Sequence, residues 1–169
     1  GFPEETVFSI TQTADGYLWA GTPAGLVRYD GRRFAFFDSQ AHDTDETFLR
    51  VQNMLAMPDG SLWIRAARGG LWRFRDSVFQ RVRGDERRQF SEIHWVGKGS
   101  DTEVWIADEN AVHVWRDGRI HWDVIPLGQW RGVALGHFLD TKGRMWLRTQ
   151  DGRLIRLSGR GEVEREYTQ

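Results

Sequence analysis

The chain contains no cysteine. This absence excludes disulfide bonds, thiol catalysis and cysteine-ligated metal sites, but it does not distinguish a reducing compartment from an oxidising one. No stretch approaches about 18 consecutive apolar residues, so the sequence predicts no membrane-spanning helix within this segment. The formal net charge is −1, which argues against a nucleic-acid groove built on overall basicity.

Signatures of catalysis are also missing from the sequence. The five histidines are scattered and do not show the spacing of metal ligands. There is no glycine-rich phosphate loop and no G-x-S-x-G nucleophile elbow. We therefore expect no metal, no cofactor and no enzymatic activity.

Tryptophan, in contrast, is abundant and regularly placed. The chain has nine tryptophans among 169 residues, and Trp19, Trp63, Trp105 and Trp146 follow one another at intervals of 44, 42 and 41 residues. A period near 40 residues with several short strands in each unit is typical of a β-propeller blade.

Turns and strand-like runs repeat with the same period. Turns that end in glycine precede three of these tryptophans, and a short apolar run follows each of the four. We predict an all-β fold, a β-propeller with four four-stranded antiparallel blades, over approximately residues 7–48, 51–90, 93–130 and 133–169 of a single segment, 1–169. No latch strand is evident, so we expect a partial propeller or a ring closed by self-association.

The four repeated tryptophans are interpreted as the structural repeat core. Each lies in the second strand of its blade and is followed by an apolar residue. The middle strands of a propeller blade are covered on both faces by neighbouring blades, which favours packing over ligand stacking. Truncation of one such tryptophan to alanine should cost about 3–5 kcal/mol.

The connections between strands fall into two classes. Strands 1 and 2, and strands 3 and 4, are joined by short Asp-Gly hairpins, which alternation places on one rim. The loops between strands 2 and 3, and the connections between blades, lie on the opposite rim and differ in every unit. Because variable loops on a rigid scaffold commonly carry function, we predict any binding site on this second rim.

Arginines and one tryptophan are the candidate ligand-binding residues of that rim. They suit a carbohydrate or a carboxylated carbohydrate, through charge-assisted hydrogen bonds and stacking. Alternatively, the arginines belong to a solvated surface or form internal salt bridges, and the tryptophan covers the end of the core. The candidates are Arg65, Arg68, Arg87, Arg88, Trp130 and Arg148.

The residues around the first tryptophan carry a family resemblance. The string Gln-Thr-Ala-Asp-Gly-Tyr-Leu-Trp-Ala-Gly-Thr at 12–22, followed by Gly-Leu-Val-Arg-Tyr-Asp-Gly at 25–31, closely resembles the two-component-regulator propeller repeat. The second unit matches well, and the third and fourth match more loosely. The resemblance implies a periplasmic ligand-sensing input domain of a bacterial signal-transduction receptor, of the kind found in hybrid histidine kinases and diguanylate cyclases.

The number of repeats leaves alternatives open. Sensors of this family resemble seven-bladed rings, whereas this chain carries four repeats and does not begin with methionine. We interpret it as a segment of a longer protein, with either the remaining blades of that protein or a second copy as partner. The repeats also resemble those of virginiamycin-type lyases, and a protein-interaction scaffold would share the same fold.

Overall fold

The computed structural model confirms the predicted fold class. It describes residues 6–37, 50–67, 70–128, 136–142, 144–149, 151–158 and 162–168. Within them the strands form four four-stranded antiparallel sheets, each with its strands in the order of the chain, as in propeller blades. No helix in these described ranges has the length and apolar character needed to cross a membrane.

Blades 1 and 2 contain the strands β1 to β8. Each strand pairs with its neighbours in sequence, so every blade is an up-and-down sheet. The bounds are Ser9–Gln12, Leu18–Thr22, Gly25–Tyr29 and Phe34–Phe37 in blade 1, and Val51–Ala56, Leu62–Ala66, Leu71–Arg75 and Val78–Val82 in blade 2.

Blades 3 and 4 contain the strands β9 to β16 in the same arrangement. The pairing is again antiparallel between successive strands. The bounds are Trp95–Lys98, Val104–Ala107, Ala111–Arg116 and Arg119–Pro126 in blade 3, and Gly136–Leu139, Met145–Arg148, Leu154–Leu157 and Val163–Tyr167 in blade 4.

The chain divides into two compact units, each of two blades and each with its own core. Unit 1 is Gly1–Arg83 and unit 2 is Gly84–Gln169. In unit 1 the Trp19 ring packs against Phe74 of the next blade, with centroids 5.3 Å apart. In unit 2 Trp105 shares a buried cluster with Met145 and other apolar side chains of blade 4. Burial of each such side chain contributes about 1.5–3 kcal/mol.

The Asp-Gly hairpins form as the sequence predicts. Gly16, Gly31, Gly60 and Gly118 all have positive φ, between 76° and 94°, which a residue without Cβ adopts at low cost. At the β11–β12 turn Asp117 is also left-handed, with φ 53°, as a type I′ hairpin requires. These turns join strands 1 to 2 and 3 to 4 in the antiparallel blades, so we call this edge of each blade the hairpin rim and the opposite edge the loop rim.

One strand is longer than the sequence indicates. The pattern predicts the last strand of blade 3 over 120–122 and a loop connection from 123, but β12 runs to Pro126. The register shifts between Val112 and Val114, where a bulge in β12 absorbs extra residues, and Asp123 within it has φ 51°. A bulge bends a strand without ending it, so the prediction of a loop at this point was wrong.

Candidate functional site

The structure separates the predicted site residues. Arg87 and Arg88 lie together in the connection from β8 to β9, on the loop rim of blade 3. Arg65 is half-buried on β6 of unit 1, and Arg148 is exposed at the loop-rim end of β14. The four described candidates thus belong to blade 2, to the connection that enters blade 3, and to blade 4. Arg68 and Trp130 lie outside the described residues.

The repeated tryptophans occupy the interior to different extents. Trp19, Trp63 and Trp105 are buried, with 4%, 1% and 4% of their surface exposed. Trp146 is half-buried, and its indole N–H donates to Oδ2 of Asp140 at 3.1 Å. Three of the four rings therefore have almost no surface to offer a ligand.

The connection that carries Arg87 and Arg88 is a compact, hydrogen-bonded turn. Oδ1 of Asp85 accepts the backbone N–H groups of Arg87 at 2.9 Å and of Arg88 at 2.8 Å. A Cβ on Gly84 would lie 1.8 Å from the carbonyl oxygen of Arg88, so only glycine permits this close return of the chain. The turn therefore fixes the backbone positions from which both arginine side chains extend.

Arg88 reaches from this turn to β12. Its guanidinium forms a bidentate pair with Asp123, with Nη1 to Oδ2 at 2.5 Å and Nη2 to Oδ1 at 2.7 Å. The same group lies 4.7 Å from the ring centroid of Trp122, a cation–π distance. The indole N–H of Trp122 donates back to Oδ2 of Asp85 at 3.0 Å. We call these four residues, with Phe90, the blade-3 rim cluster.

Beneath the cluster lies a buried histidine. His113 on β11 has no exposed surface, and its ring packs edge-on against Trp122 with centroids 4.9 Å apart. Phe90 contacts both rings, at 5.7 Å from His113 and 5.0 Å from Trp122. The bulge in β12 brings the N–H of Asp123 to Nδ1 of His113 at 3.0 Å. Because Nδ1 accepts this hydrogen bond, the ring proton is on Nε2.

Nε2 of His113 faces a second buried group, Asp108. The distance from Nε2 to Oδ2 is 3.0 Å, although the contact is too far off the axis of the N–H bond to count as an aligned hydrogen bond. Asp108 is 2% exposed and also accepts the N–H groups of Asn110, Ala111 and Ser91, at 2.9, 3.1 and 3.2 Å. It therefore ties the β10–β11 loop to the segment that leads into β9.

The carboxyl groups of the cluster are held in the ionised form. Burial alone would raise the pKa of Asp108, but the contact with His113 and the N–H donors of Asn110 and Ala111 outweigh it and set the pKa well below its usual range. The Arg88 guanidinium lowers the pKa of Asp123. The Trp122 indole and the backbone N–H groups of the turn lower the pKa of Asp85.

Sequence reasoning missed Asp108, His113 and Asp123, although a signal for two of them exists. The residue three positions after each repeated tryptophan is Thr22, Ala66, Asp108 or Thr149, so only blade 3 has a charge there. Across the strand pairs, His113 stands where the other blades have Val27, Trp72 and Ile155. The two residues that depart from the repeat, Asp108 and His113, therefore contact each other in the structure. The sequence carries no comparable sign of the bulge at Asp123.

The described side chains of the cluster offer hydrogen-bonding groups and not a set of metal ligands. Among the described residues, no group of three or more histidine, aspartate or glutamate side chains is placed to hold a metal ion. The guanidinium of Arg87 is exposed and has no hydrogen bond or ion pair with any described residue. An exposed cation beside the fixed carboxylates of Asp85 and Asp123 offers both donors and acceptors to a polar ligand.

A family model and several solved structures match the chain. Residues 1–24 match the model described as the two component regulator propeller. No curated protein gives a significant sequence match. The extracellular domain of a hybrid two component system from B. thetaiotaomicron is similar in structure, with 18% identity and a TM-score of 0.77 over 99% of this chain and 25% of that one.

Two further structures illustrate the range of proteins with this fold. The extracellular domain of a one component system from B. thetaiotaomicron matches with 13% identity and a TM-score of 0.70, over 98% of this chain and 25% of that one. Virginiamycin B lyase from Staphylococcus aureus matches with 14% identity and a TM-score of 0.74, over 96% of this chain and 55% of the lyase. The chain thus spans a quarter of each extracellular domain and about half of the lyase. At these identities the likeness establishes the propeller-type fold and nothing finer.

Proposed function

The chain carries a two-component-regulator propeller repeat, and from this premise we propose that it is the ligand-sensing input domain of a signal-transduction receptor, with the blade-3 rim cluster as the ligand site. The likeness to extracellular domains of one and two component systems supports a sensor role and an extracytoplasmic, periplasmic location. The observation that carries the choice of site is the preorganised Asp85–Trp122–Arg88–Asp123 network beside the exposed guanidinium of Arg87.

The ligand that best fits the cluster is an acidic oligosaccharide. Arg87 supplies a guanidinium for a carboxylate, and the ionised Asp85 and Asp123 accept hydrogen bonds from hydroxyl groups. Arg88 is already paired with Asp123, so its role is to position that carboxylate and the Trp122 ring. Binding in this arrangement needs no rearrangement of the turn, which lowers the entropic cost of association.

Binding, and not catalysis, is the role proposed for this rim. His113 lies beneath the cluster, and with 0% exposed surface it cannot reach a bound molecule to transfer a proton. A lyase-like enzyme would instead depend on a metal. Metal analysis of the purified chain that found a stoichiometric divalent ion would favour the enzyme over the sensor.

Replacing Arg87 with glutamine should abolish binding of the acidic oligosaccharide. In a thermal-shift panel of acidic and neutral oligosaccharides, we expect an acidic member to raise the Tm of the wild type, and Arg87→Gln to lose that shift. The panel would refute the proposal if no oligosaccharide stabilised the wild type, or if Arg87→Gln were stabilised equally.

Arg119→Gln is the matched control. Arg119 is an exposed arginine of the same blade, but it begins β12 at the hairpin rim. The substitution removes one positive charge, as Arg87→Gln does, but from the opposite rim. The ligand-induced rise in Tm should therefore persist. Loss of the shift in both variants would show that net charge alone governs the interaction.

We further propose that a blade of a second copy covers the outer face of blade 1 when the chain is isolated. Ile10, Ala20, Val27 and Phe36 form one cross-strand row, and Leu18 and Phe34 belong to the next. Ile10 is 69% exposed, and Leu18, Phe34 and Phe36 are each 43% exposed. A contiguous apolar sheet face of this kind favours association.

Light scattering over a range of concentrations tests this association. We expect a mass above that of one chain, and a return toward one chain on Ile10→Lys, which places a charge at the most exposed residue of the row. Val78→Lys is the control, since Val78 is 62% exposed on a different strand, β8. A single-chain mass for the wild type at every concentration would contradict the proposal.

A further inference from the structure

Arginine recurs opposite the repeated tryptophan in three of the four blades. In each case it occupies the directly opposed position on the third strand, with its guanidinium carbon 5.6–5.9 Å from the centroid of the tryptophan ring. Blade 3 has Val114 in this position. The pairs are Arg28 with Trp19, Arg73 with Trp63, and Arg156 with Trp146.

Two of these arginines have an acidic partner within their own blade. Nη2 of Arg73 lies 2.9 Å from Oδ2 of Asp59, and Nε of Arg156 lies 2.9 Å from Oε2 of Glu164. Arg28 differs, because its guanidinium has no hydrogen bond or ion pair with any residue that the structure describes. The same repeat position therefore holds two arginines in ion pairs and one arginine, Arg28, that forms no ion pair with a described residue.

Aromatic rings hold Arg28 in place without neutralising it. Its guanidinium carbon is 4.5 Å from the centroid of the Tyr17 ring, 5.4 Å from that of Phe37 and 5.8 Å from that of Trp19. Arg28 is half-buried. Cation–π contacts orient the group but do not satisfy its N–H donors, which have no acceptor among the described residues and therefore favour an anion.

Arg28 lines a cleft in unit 1, at the hairpin rim between blades 1 and 2. The cleft has a volume of about 290 Å³ and is also lined by Thr13, Asp15, Asp76 and Ser77. A volume of this size suits a small molecule. Asp59, a further lining residue, is occupied by Ser61 and Arg73.

We propose that this cleft is a second ligand site, which binds a small hydroxy- or amino-carboxylic acid with its carboxylate on Arg28. A guanidinium recognises a carboxylate through paired N–H···O bonds. Asp15 and Asp76 also line the cleft, where Asp15 accepts a hydrogen bond from Thr13 and Asp76 lies 3.6 Å from Arg75. The remaining lone pairs of these carboxylates accept hydroxyl or ammonium donors, and their charge repels a second negative charge. The site lies in the other unit from the blade-3 rim cluster and does not depend on the function proposed for that cluster.

The indole of Trp19 is a direct reporter of this cleft. It lines the cleft, and its N–H donates to Oγ1 of Thr13 at 3.0 Å. In NMR titrations of the full chain, we expect glycerate and serine at millimolar concentrations to shift the Trp19 indole signal saturably. Glycerol lacks the carboxylate and should not shift it. Succinate carries a second negative charge and should bind more weakly than glycerate.

Arg28→Gln should remove the glycerate-induced shift, whereas Arg156→Gln should leave it unchanged. Arg156 holds the same repeat position over Trp146 but lies in unit 2, so it is the matched control. Arg28→Lys keeps the charge and the aromatic contacts, and should bind glycerate at least several-fold more weakly than the wild type.

Wild-type titrations decide the proposal even if Arg28→Gln fails to fold. Absence of a saturable Trp19 shift with both glycerate and serine would overturn it, as would an equal response to glycerol. Retention of full glycerate binding in a folded Arg28→Gln variant would also overturn it. Intermolecular NOEs from glycerate to Thr13, Trp19 or Ser77 would support it, and NOEs confined to residues outside the cleft would contradict it.

Discussion

Replacing Trp105 with alanine should lower the free energy of unfolding of unit 2 by about 3–5 kcal/mol, the largest effect that we expect from a single substitution. Trp105 is 4% exposed and belongs to the buried cluster formed with Met145, Leu147 and Leu157 of the next blade. Alanine would leave a cavity. The strand that carries residue 105 cannot move to fill it, because it is hydrogen-bonded to a neighbouring strand on each side. Urea unfolding, followed through the amide signals of β10 and β11, measures the loss within unit 2.

Two variants test the cause of that loss. Trp105→Phe should recover most of the stability, because the indole N–H of Trp105 donates to no described residue and the ring supplies the packing. Trp146→Ala removes the equivalent residue of blade 4, which is only half-buried, and should cost roughly half as much. Equal losses of stability in Trp105→Ala and Trp146→Ala would contradict the conclusion that Trp105 is packed more completely than Trp146.

Asp108→Ala should destabilise unit 2 by about 3 kcal/mol or more. The carboxylate accepts three backbone N–H groups, so its removal leaves these three donors without their partner, and it also removes the negative charge that faces Nε2 of His113. Asp101→Ala is the control, since Asp101 pairs with Lys98 but its side chain is 77% exposed. Loss of that surface pair should change the free energy of unfolding by no more than about 1 kcal/mol.

The difference in unfolding free energy between the wild type and Asp108→Ala should depend on pH, and the pKa of Asp108 gives the direction of that dependence. The folded-state pKa of Asp108 lies below that of the unfolded chain, which is about 4. The stabilisation that Asp108 provides is therefore present above about pH 4 and is lost as the pH falls toward the folded-state pKa. Urea midpoints of the wild type and Asp108→Ala should differ equally at pH 7 and pH 5 and converge in stronger acid. A difference that disappeared between pH 7 and pH 5 would show that Asp108 is not the titrating group.

Local signals in the sequence were enough to predict the fold. Recurrent tryptophans, Asp-Gly turns and short apolar runs each reflect a requirement of one blade, namely core packing, a left-handed turn residue and a paired strand. The end of β12 was wrong because a bulge continues a strand past residues whose pattern resembles a loop. The position of Asp123 opposite His113 depends on pairing across the sheet, which no local pattern records.

The candidate sites were harder to predict because they depend on which partner a side chain finds. Arg87 and Arg88 are adjacent in sequence, yet Arg88 pairs with Asp123 while Arg87 is exposed. Arg28 and Arg156 occupy one repeat position, yet of these two only Arg156 forms an ion pair with a described residue. Composition and spacing cannot separate these cases, since the difference arises from the directions of individual side chains. The sequence did predict that the Asp-Gly hairpins lie on one rim and the variable connections on the other, whereas the location of a ligand on the loop rim stays a prediction.

The most direct test of the sensor assignment is an NMR map of the tryptophan indoles with the acidic oligosaccharide that gives the largest thermal shift. The chain has nine tryptophans, and the indole of Trp122 lies in the blade-3 rim cluster, hydrogen-bonded to Asp85. We expect saturable movement of the Trp122 signal, with the buried Trp105 signal unchanged and with the movement lost in Arg87→Gln. Saturable binding that left the Trp122 signal in place would contradict the loop rim of blade 3 as the ligand site.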